Sequence, residues 1–150
     1  MVWVCFLGHR GRGTLAFLLK GVTMNKWTYL KVLNYYLPLP MRVHRSTHFQ
    51  QDNAPCHRAG LIMDWFKLNK VKVISWPGRS PDLNPIEHCW QVFKNHVMNY
   101  GQNSSIPHLK TAINNVWKNE MPLEYFRSLA DSMPDRIRAC IRARGKYTTY

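Results

Sequence analysis

The sequence has 150 residues, of which 45% are hydrophobic and 13% aromatic, enough apolar material for one domain with its own core. This composition excludes an intrinsically disordered chain, and no apolar run reaches the roughly 18–20 residues of a membrane-spanning helix. Lys and Arg number 21 against eight Asp and Glu, so the net charge of +13 favours a polyanionic partner, either nucleic acid or an acidic membrane surface.

The first half of the sequence predicts a β-hairpin followed by helices that alternate with short strands. Two apolar runs flank a glycine-rich turn, and because neither run alternates with polar residues, both strands of the hairpin are expected to be buried on two faces. Asn25 is suited to cap the first helix, which Pro38 ends. The predicted elements are strands at residues 1–7 and 14–19, a helix from Asn25 to about Leu37, a strand at 48–51, a helix near 58–69 and a strand at 71–74.

The second half predicts a rigid loop and then helices. The loop at residues 76–85 contains three prolines, and Asn84 is suited to cap a helix that has Pro85 at its first position. Ser132 and Asp135 have the spacing of a capping box at the start of the last helix. The remaining predicted helices lie near residues 105–119, 122–132 and 132–145. This order predicts an α/β domain, a mixed sheet flanked by helices, with a helical C-terminal part.

The acidic residues are confined to the middle of the sequence. Residues 1–51 contain seven Lys and Arg and no carboxylate, and all eight carboxylates lie between Asp52 and Asp135. Asp52 follows a predicted strand and Glu87 lies in the first turn of a predicted helix, with 34 residues between them. The intervening helix and strand return the chain to the same edge of the sheet, where α/β proteins bind their ligands. Carboxylates that converge there form a hard-oxygen site for Mg²⁺ or Mn²⁺, and a pair of such ions activates water in phosphodiester cleavage.

Simpler interpretations of both carboxylates stay open at this stage. Asp52 followed by Asn53 has the sequence of an Asx turn, in which the carboxylate serves only the backbone. Glu87 lies three residues after Asn84 and is placed to close a capping box. A zinc site is a further alternative, although its adjacent ligand pairs differ from ordinary zinc motifs. Its ligands would be Cys56, His57, His88 and Cys89.

Several basic residues are candidates for contacts with nucleic-acid phosphates, because clustered Lys and Arg release counterions when they bind a polyanion. They are Arg10 and Arg12 in the hairpin turn, Lys94 beyond Glu87, and Arg136, Arg138, Arg142, Arg144 and Lys146 near the C terminus. The alternatives are a solvated hairpin tip, a solvated lysine and a solubilising C-terminal tail. Charge alone does not choose between these interpretations.

Two sequence motifs resemble signatures of Tc/mariner-type transposases. They are Phe49-Gln-Gln-Asp-Asn-Ala-Pro-Cys-His57 and Ser80-Pro-Asp-Leu-Asn-Pro-Ile-Glu-His-Cys-Trp90, and their Asp–Glu spacing matches that of the family. The resemblance implies an RNase H-like fold, metal-dependent DNA cleavage and strand transfer with Mg²⁺ or Mn²⁺, and a catalytic triad. In that triad Asp52 is the second ligand and Glu87 the third. The resemblance also implies DNA as the partner, no membrane, location in the nucleus, and a homodimer as the candidate assembly.

One part of the family pattern is not matched. The family places its first catalytic Asp on a central strand, and this sequence has no carboxylate before Asp52. Residues 1–150 are therefore expected to be a partial RNase H-like catalytic domain, without that strand and without the N-terminal helix-turn-helix DNA-binding domain. The 1–19 hairpin and the strand at Phe49 should then have unpaired edges. Such a fragment is expected to bind metal weakly and to be inactive as it stands. The alternative function is a non-catalytic basic nucleic-acid-binding protein derived from a transposable element.

Overall fold

A computed structural model of the protein describes residues 1–99 and 105–150, along which short strands alternate with helices. The strands are β1 (Val2–Phe6), β2 (Arg12–Phe17), β3 (His48–Phe49) and β4 (Lys72–Val73). The helices are α1 (Lys26–Tyr36), α2 (Pro38–Val43), α3 (Pro55–Arg58), α4 (Gly60–Leu68), α5 (Ile86–Asn99), α6 (Ile106–Asn115), α7 (Leu123–Asp131) and α8 (Met133–Arg142). A 3-10 turn at Gly8–Arg10 joins β1 to β2, and a π-helical turn at Val116–Glu120 follows α6.

Every strand and helix expected from the sequence is present, and most are shorter than predicted. Asn25 caps α1 as predicted, because its side chain accepts hydrogen bonds from the backbone N–H groups of Trp27 and Thr28, both at 3.0 Å. Two short helices, α2 and α3, lie outside the predicted elements. Each begins with a proline, Pro38 or Pro55, because the fixed φ angle of proline suits the first turn of a helix. Pro38 thus both follows α1 and begins α2. Among the described residues no helix is long and apolar enough to cross a membrane.

β1 and β2 form the expected antiparallel hairpin, with Trp3 opposite Ala16. The pairing shifts in register after Val4, where the backbones of Cys5 and Gly13 approach each other closely. A Cβ atom at Gly13 would lie only 2.4 Å from the carbonyl oxygen of Cys5. A residue without a side chain is therefore required at this point of the hairpin.

β3 and β4 form a second, parallel pair, with Phe49 opposite Val73. Within residues 1–99 and 105–150 the sheet is thus divided into an antiparallel and a parallel pair. A cavity of about 510 Å³ lies between them, lined by residues 3–8 of β1 and its turn and by residues 45–52 around β3. This division agrees with the expectation that the 1–19 hairpin and the strand at Phe49 lack the strand that would lie between them.

The hydrophobic core consists of two clusters that meet at β1. Trp3 and Cys5 belong to the first cluster, which also contains residues of α1, α2 and α4. Val4 belongs to the second cluster, with residues of α5 and α7 and of the π-helical turn. Since successive side chains of a strand point to opposite faces, β1 is buried on both faces, as predicted. Most of β2 is only half-buried, so the same prediction is wrong for that strand.

The start of α8 differs from its prediction. The backbone of Ser132 is already helical, and its hydroxyl donates to the carbonyl oxygen of Leu129 at 2.7 Å. Asp135 pairs instead with Arg138, at 2.5 Å. The predicted capping box is therefore wrong, because α8 follows α7 without the extended residue that a capping box needs.

Candidate active site

Asp52 lies in the turn that follows β3, and this turn fixes its carboxylate. Its Oδ1 atom accepts hydrogen bonds from the backbone N–H of Ala54 at 3.0 Å and from Nδ1 of His57 at 2.5 Å. The bond from Ala54 is that of an Asx turn, which the sequence predicted as the simpler role of Asp52. In the described part of the chain no donor reaches Oδ2 of Asp52. The Asx turn is therefore compatible with a ligand role for the second oxygen.

Buried side chains anchor this turn to α1. The hydroxyl of Tyr29 donates to Oε1 of Gln51 at 2.8 Å, and Nε2 of Gln51 donates to the carbonyl oxygen of His57 at 3.0 Å. Tyr29 is 1% exposed, and its ring packs against that of His57 at a centroid distance of 4.2 Å. Burial, and to a lesser degree the charge of Asp52, raises the pKa of Tyr29, so its hydroxyl stays a donor. The histidine that holds Asp52 is thus itself held by α1.

Amide side chains join the same turn to the loop before α5. Nε2 of Gln50 donates to Oδ1 of Asn84 at 3.1 Å, and Nδ2 of Asn53 donates to the carbonyl oxygen of Trp76 at 2.6 Å. The backbone N–H of Glu87 donates to the backbone carbonyl oxygen of Asn84 at 3.1 Å. In the described residues the Asn84 side chain accepts from Gln50 and from no backbone N–H of α5, so the capping bond predicted for it is not formed.

Asp52 and Glu87 line the same two cavities. One is the cavity between β1 and β3, and the other, of about 390 Å³, is bounded by the loop at residues 76–81. Partial desolvation raises the pKa of Glu87, Lys94 opposes this shift, and the charge of Asp52 adds to it. The two carboxylates therefore repel each other, and a cation bound between them would relieve that repulsion.

The donors at this cavity suit a hard divalent cation, because both are carboxylates. Within residues 1–99 and 105–150, no three His, Cys, Asp or Glu residues are grouped so as to hold one metal ion. The four residues proposed for a zinc site are therefore not grouped around one metal position. His57 is bonded to Asp52, and burial raises the pKa of the Cys89 thiol to about 12. Asp52 and Glu87 thus stay candidate oxygen ligands for Mg²⁺ or Mn²⁺, and the described residues contain no zinc-type cluster.

Arg136 is buried, and its prediction as a phosphate contact is wrong. It is 2% exposed, and its Nη1 atom donates to the carbonyl oxygen of Asp82 at 2.7 Å. Nη2 lies 2.7 Å from Nε2 of His88, and Nε donates to the hydroxyl of Ser132 at 2.8 Å. The sequence shows a basic residue near the C terminus, but only the packing of α8 shows that this position faces inward.

The other basic candidates are exposed and stay predictions. They are Arg10, Arg12, Lys94, Arg138, Arg142, Arg144 and Lys146. In the hairpin turn, Arg10 donates to the carbonyl oxygen of His44. Arg12, the first residue of β2, donates to the carbonyl oxygens of Lys118 and Met121 at 2.6 and 3.3 Å. These bonds tether the hairpin to its neighbours and still leave other guanidinium N–H groups for a phosphate.

The residues that support the two carboxylates were missed in the sequence. Gln50 and Gln51 are consecutive amide side chains directly after β3 and before Asp52, and that position is a usable signal for hydrogen bonds across the fold. Asp82 lies in the loop at residues 76–85, and its Oδ2 atom accepts a hydrogen bond from the backbone N–H of Thr148 at 2.9 Å. No local signal predicts that bond, because 66 residues separate its partners.

Comparisons with known proteins identify the family and the fold. A family model described as DDE superfamily endonuclease matches residues 28–110. The Tcb1 transposable-element transposase of Caenorhabditis briggsae is 36% identical over all of this chain and 54% of its own length. The chain thus spans about half the length of the curated relatives it matches.

Two solved structures have the same fold. The catalytic domain of Mos1 transposase, determined with raltegravir and Mg, matches with a TM-score of 0.80 and 25% identity over 98% of this chain and 75% of that one. The Mos1 transposase paired-end complex with the left transposon end matches with a TM-score of 0.82 and 23% identity, over 97% of this chain and 43% of that one. The likeness confirms the RNase H-like fold expected from the sequence.

Proposed function

Because the chain belongs to the DDE superfamily of endonucleases, among the Tc1- and mariner-type transposases, we propose that it supplies most of a catalytic domain acting on DNA. The proposed reaction is metal-dependent hydrolysis of a DNA phosphodiester, followed by attack of a 3′ hydroxyl on target DNA. The observation that carries this proposal is that Asp52 and Glu87 line the same cavities. Action on chromosomal DNA in the nucleus and assembly as a homodimer are parts of the same proposal.

In the proposed site Asp52 and Glu87 hold Mg²⁺ or Mn²⁺ through their carboxylate oxygens. Such ions lower the pKa of bound water and stabilise the leaving oxygen in phosphodiester cleavage. His57 and the N–H of Ala54 both engage Oδ1 of Asp52, which leaves Oδ2 for the ion. Lys94 lines a neighbouring groove together with Glu87, and we assign it a contact with a DNA phosphate there.

We further propose that residues 1–150 do not complete this site by themselves. Residues 1–51 contain no carboxylate, and two carboxylates neutralise less of the charge of two divalent ions than three would. The third ligand is expected on a strand that fills the cavity between β1 and β3, since the walls of that cavity include both Asp52 and Glu87. A helix-turn-helix domain for recognising transposon ends would also have to come from outside these residues.

Binding of Mn²⁺, followed by electron paramagnetic resonance, tests the ligand assignment without requiring activity. Asp52→Asn and Glu87→Gln should each weaken Mn²⁺ binding at least about tenfold, the loss expected when a metal site is disturbed. Asp64→Asn is the matched control, because Asp64 is an exposed carboxylate in the middle of α4. Equal Mn²⁺ affinity in all three variants would refute the assignment.

A second function, DNA binding without catalysis, is favoured by the exposed basic residues on and after α8. Arg138, Arg142, Arg144 and Lys146 are exposed there, and residues 136–150 contain no carboxylate to oppose them. Under this alternative Glu87→Gln leaves DNA binding unchanged, and no extension of the chain restores cleavage. Mn²⁺-dependent cleavage by an extended chain would rule the alternative out.

A further inference from the structure

The last residues of the chain fold back onto the loop that precedes Glu87. The backbone N–H and the hydroxyl of Thr148 both donate to Oδ2 of Asp82, at 2.9 and 2.8 Å. Asp82 lies in the proline-rich loop that leads into α5, five residues before Glu87. The C-terminal segment is thus bonded to the segment that presents a proposed metal ligand.

Arg136 connects the same segment to α8. Its guanidinium donates to the carbonyl oxygen of Asp82 at 2.7 Å and lies 2.7 Å from Nε2 of His88, which must be the acceptor in that pair. The ring of Tyr150 covers the guanidinium at 4.8 Å from its centroid. A cation with 2% exposure pays a large desolvation cost, so these partners are needed to keep Arg136 buried. Its contacts fall on both sides of Glu87, at residues 82 and 88.

We propose that Asp82, Arg136, Thr148 and Tyr150 form a C-terminal clasp whose role is to position Glu87. The clasp contacts the chain on both sides of Glu87, at the backbone carbonyl of Asp82 and at the side chain of His88. A ligand carboxylate needs such support to stay in productive geometry. The inference rests on the proposed function only for the role of Glu87 as a metal ligand. The clasp residues are positioning residues, since none of them lines the cavities shared by Asp52 and Glu87.

A second restraint on the same loop comes from β3. Gln50 binds the side chain of Asn84 at 3.1 Å and thereby ties the loop to the end of β3. Without the clasp, the loop before α5 keeps its bond to Gln50 and loses its bonds to Arg136 and Thr148. Glu87 would then retain its helix but sample more orientations relative to Asp52.

Hydrogen exchange of the 150-residue chain tests the clasp independently of any metal. Thr148→Val removes one bond to Asp82, and Tyr150→Leu removes the ring over Arg136. Each should speed exchange at residues 83–90 about twofold to fivefold, the range expected for one lost hydrogen bond or one lost cation–π contact, without changing exchange in α1. Thr149→Val, at the exposed neighbouring threonine, and Tyr150→Phe, which keeps the ring, are the matched controls and should exchange as the parent chain does.

Mn²⁺ affinity is the second measurement. Thr148→Val and Tyr150→Leu should weaken Mn²⁺ binding about threefold to tenfold. Tyr150→Phe, which keeps the ring, should bind Mn²⁺ as the parent chain does. Unchanged exchange at residues 83–90 would overturn the clasp, and faster exchange with unchanged Mn²⁺ affinity would overturn its positioning role. If the parent chain binds no Mn²⁺, the assignment of Asp52 and Glu87 as sufficient metal ligands within residues 1–150 fails, whereas the exchange data still decide whether the clasp holds residues 83–90.

Discussion

Asp52 and Glu87 depend on different kinds of neighbours for their positions. The contacts of Asp52 are local, because Ala54 and His57 lie within five residues of it. The position of Glu87 depends on distant contacts, from Gln50 at the end of β3 and from the C-terminal clasp. Substitutions in the C-terminal segment should therefore disturb Glu87 more than Asp52.

Asp82→Asn should lower stability in a pH-dependent manner. Burial alone would raise the pKa of Asp82, but hydrogen bonds from Thr148 and from the backbone outweigh burial and lower it below 3.8. The folded protein then binds this proton less readily than the unfolded chain, so the carboxylate stabilises the fold above pH 3.8. That contribution is lost as the pH falls through the lowered pKa. Urea unfolding should show a loss of about 1 kcal/mol near neutral pH, the worth of a charge-assisted hydrogen bond at a partly exposed site.

The control for this comparison is Asp64→Asn, which removes an exposed carboxylate from α4 and should leave the free energy of unfolding nearly unchanged. The difference between the parent chain and Asp82→Asn should be constant from neutral pH to about pH 5 and should shrink below pH 3.8. A loss that stays the same down to the lowest pH would mean that the charge of Asp82 does not contribute.

Among the elements, those fixed by local chemistry were the ones that the sequence predicted well. The hairpin follows from two apolar runs around glycines, and the start of α1 follows from the side chain of Asn25. The start of α8 was predicted wrongly, because it depends on how α7 ends. Arg136 was also predicted wrongly, because its burial depends on a partner 54 residues away. The presence of Asp52 and Glu87 at the same cavities followed from the α/β order. The hydrogen bonds of amide side chains that join their loops had no sequence signal beyond the polar residues beside Asp52.

Gly13→Ala and Gly60→Ala should change stability in opposite directions. A Cβ atom at Gly13 would lie 2.4 Å from the carbonyl oxygen of Cys5, so the β1–β2 hairpin would have to open, at a cost of about 2 kcal/mol. At Gly60, the first residue of α4, no atom lies within 4 Å of the added Cβ. Alanine there improves helix propensity and should stabilise by up to about 1 kcal/mol. Thermal unfolding should therefore give a lower melting temperature for Gly13→Ala than for Gly60→Ala. Equal melting temperatures would contradict the close approach at Gly13.

The whole molecule carries basic residues without acids at both ends of the sequence and all of its carboxylates in the middle. We therefore expect it to bind duplex DNA with little sequence preference and strong salt sensitivity. Each phosphate neutralised contributes about −0.9 to the slope of log affinity against log salt. Arg142→Gln together with Arg144→Gln should reduce the size of that slope by about 2. Lys67→Gln with Lys70→Gln, at the end of α4, is the control of equal charge, and a parent slope near zero would exclude electrostatic binding.

The cavity between β1 and β3 bears on folding and on cleavage together. It is bounded by strands whose facing edges are unpaired within the described residues, and it reaches Asp52 and Glu87. An extended segment that pairs with both strands would join the two sheets, cover their edges and bring one of its side chains to the two carboxylates. An N-terminal extension that supplies such a strand with an Asp should therefore raise both the melting temperature and Mn²⁺-dependent cleavage above those of residues 1–150.

The two effects separate when the strand carries Asn in place of that Asp. The Asn strand should restore folding, because the amide fills the same space, but not cleavage, because it adds no charge to the metal site. Supercoiled or pre-nicked DNA with Mn²⁺ is the appropriate substrate, since it does not require recognition of transposon ends. Cleavage by residues 1–150 alone, abolished by Glu87→Gln, would contradict the need for a third carboxylate from the added strand. Asp82 or Asp64 would then have to supply it, although Thr148 holds Asp82 and Asp64 is exposed on α4.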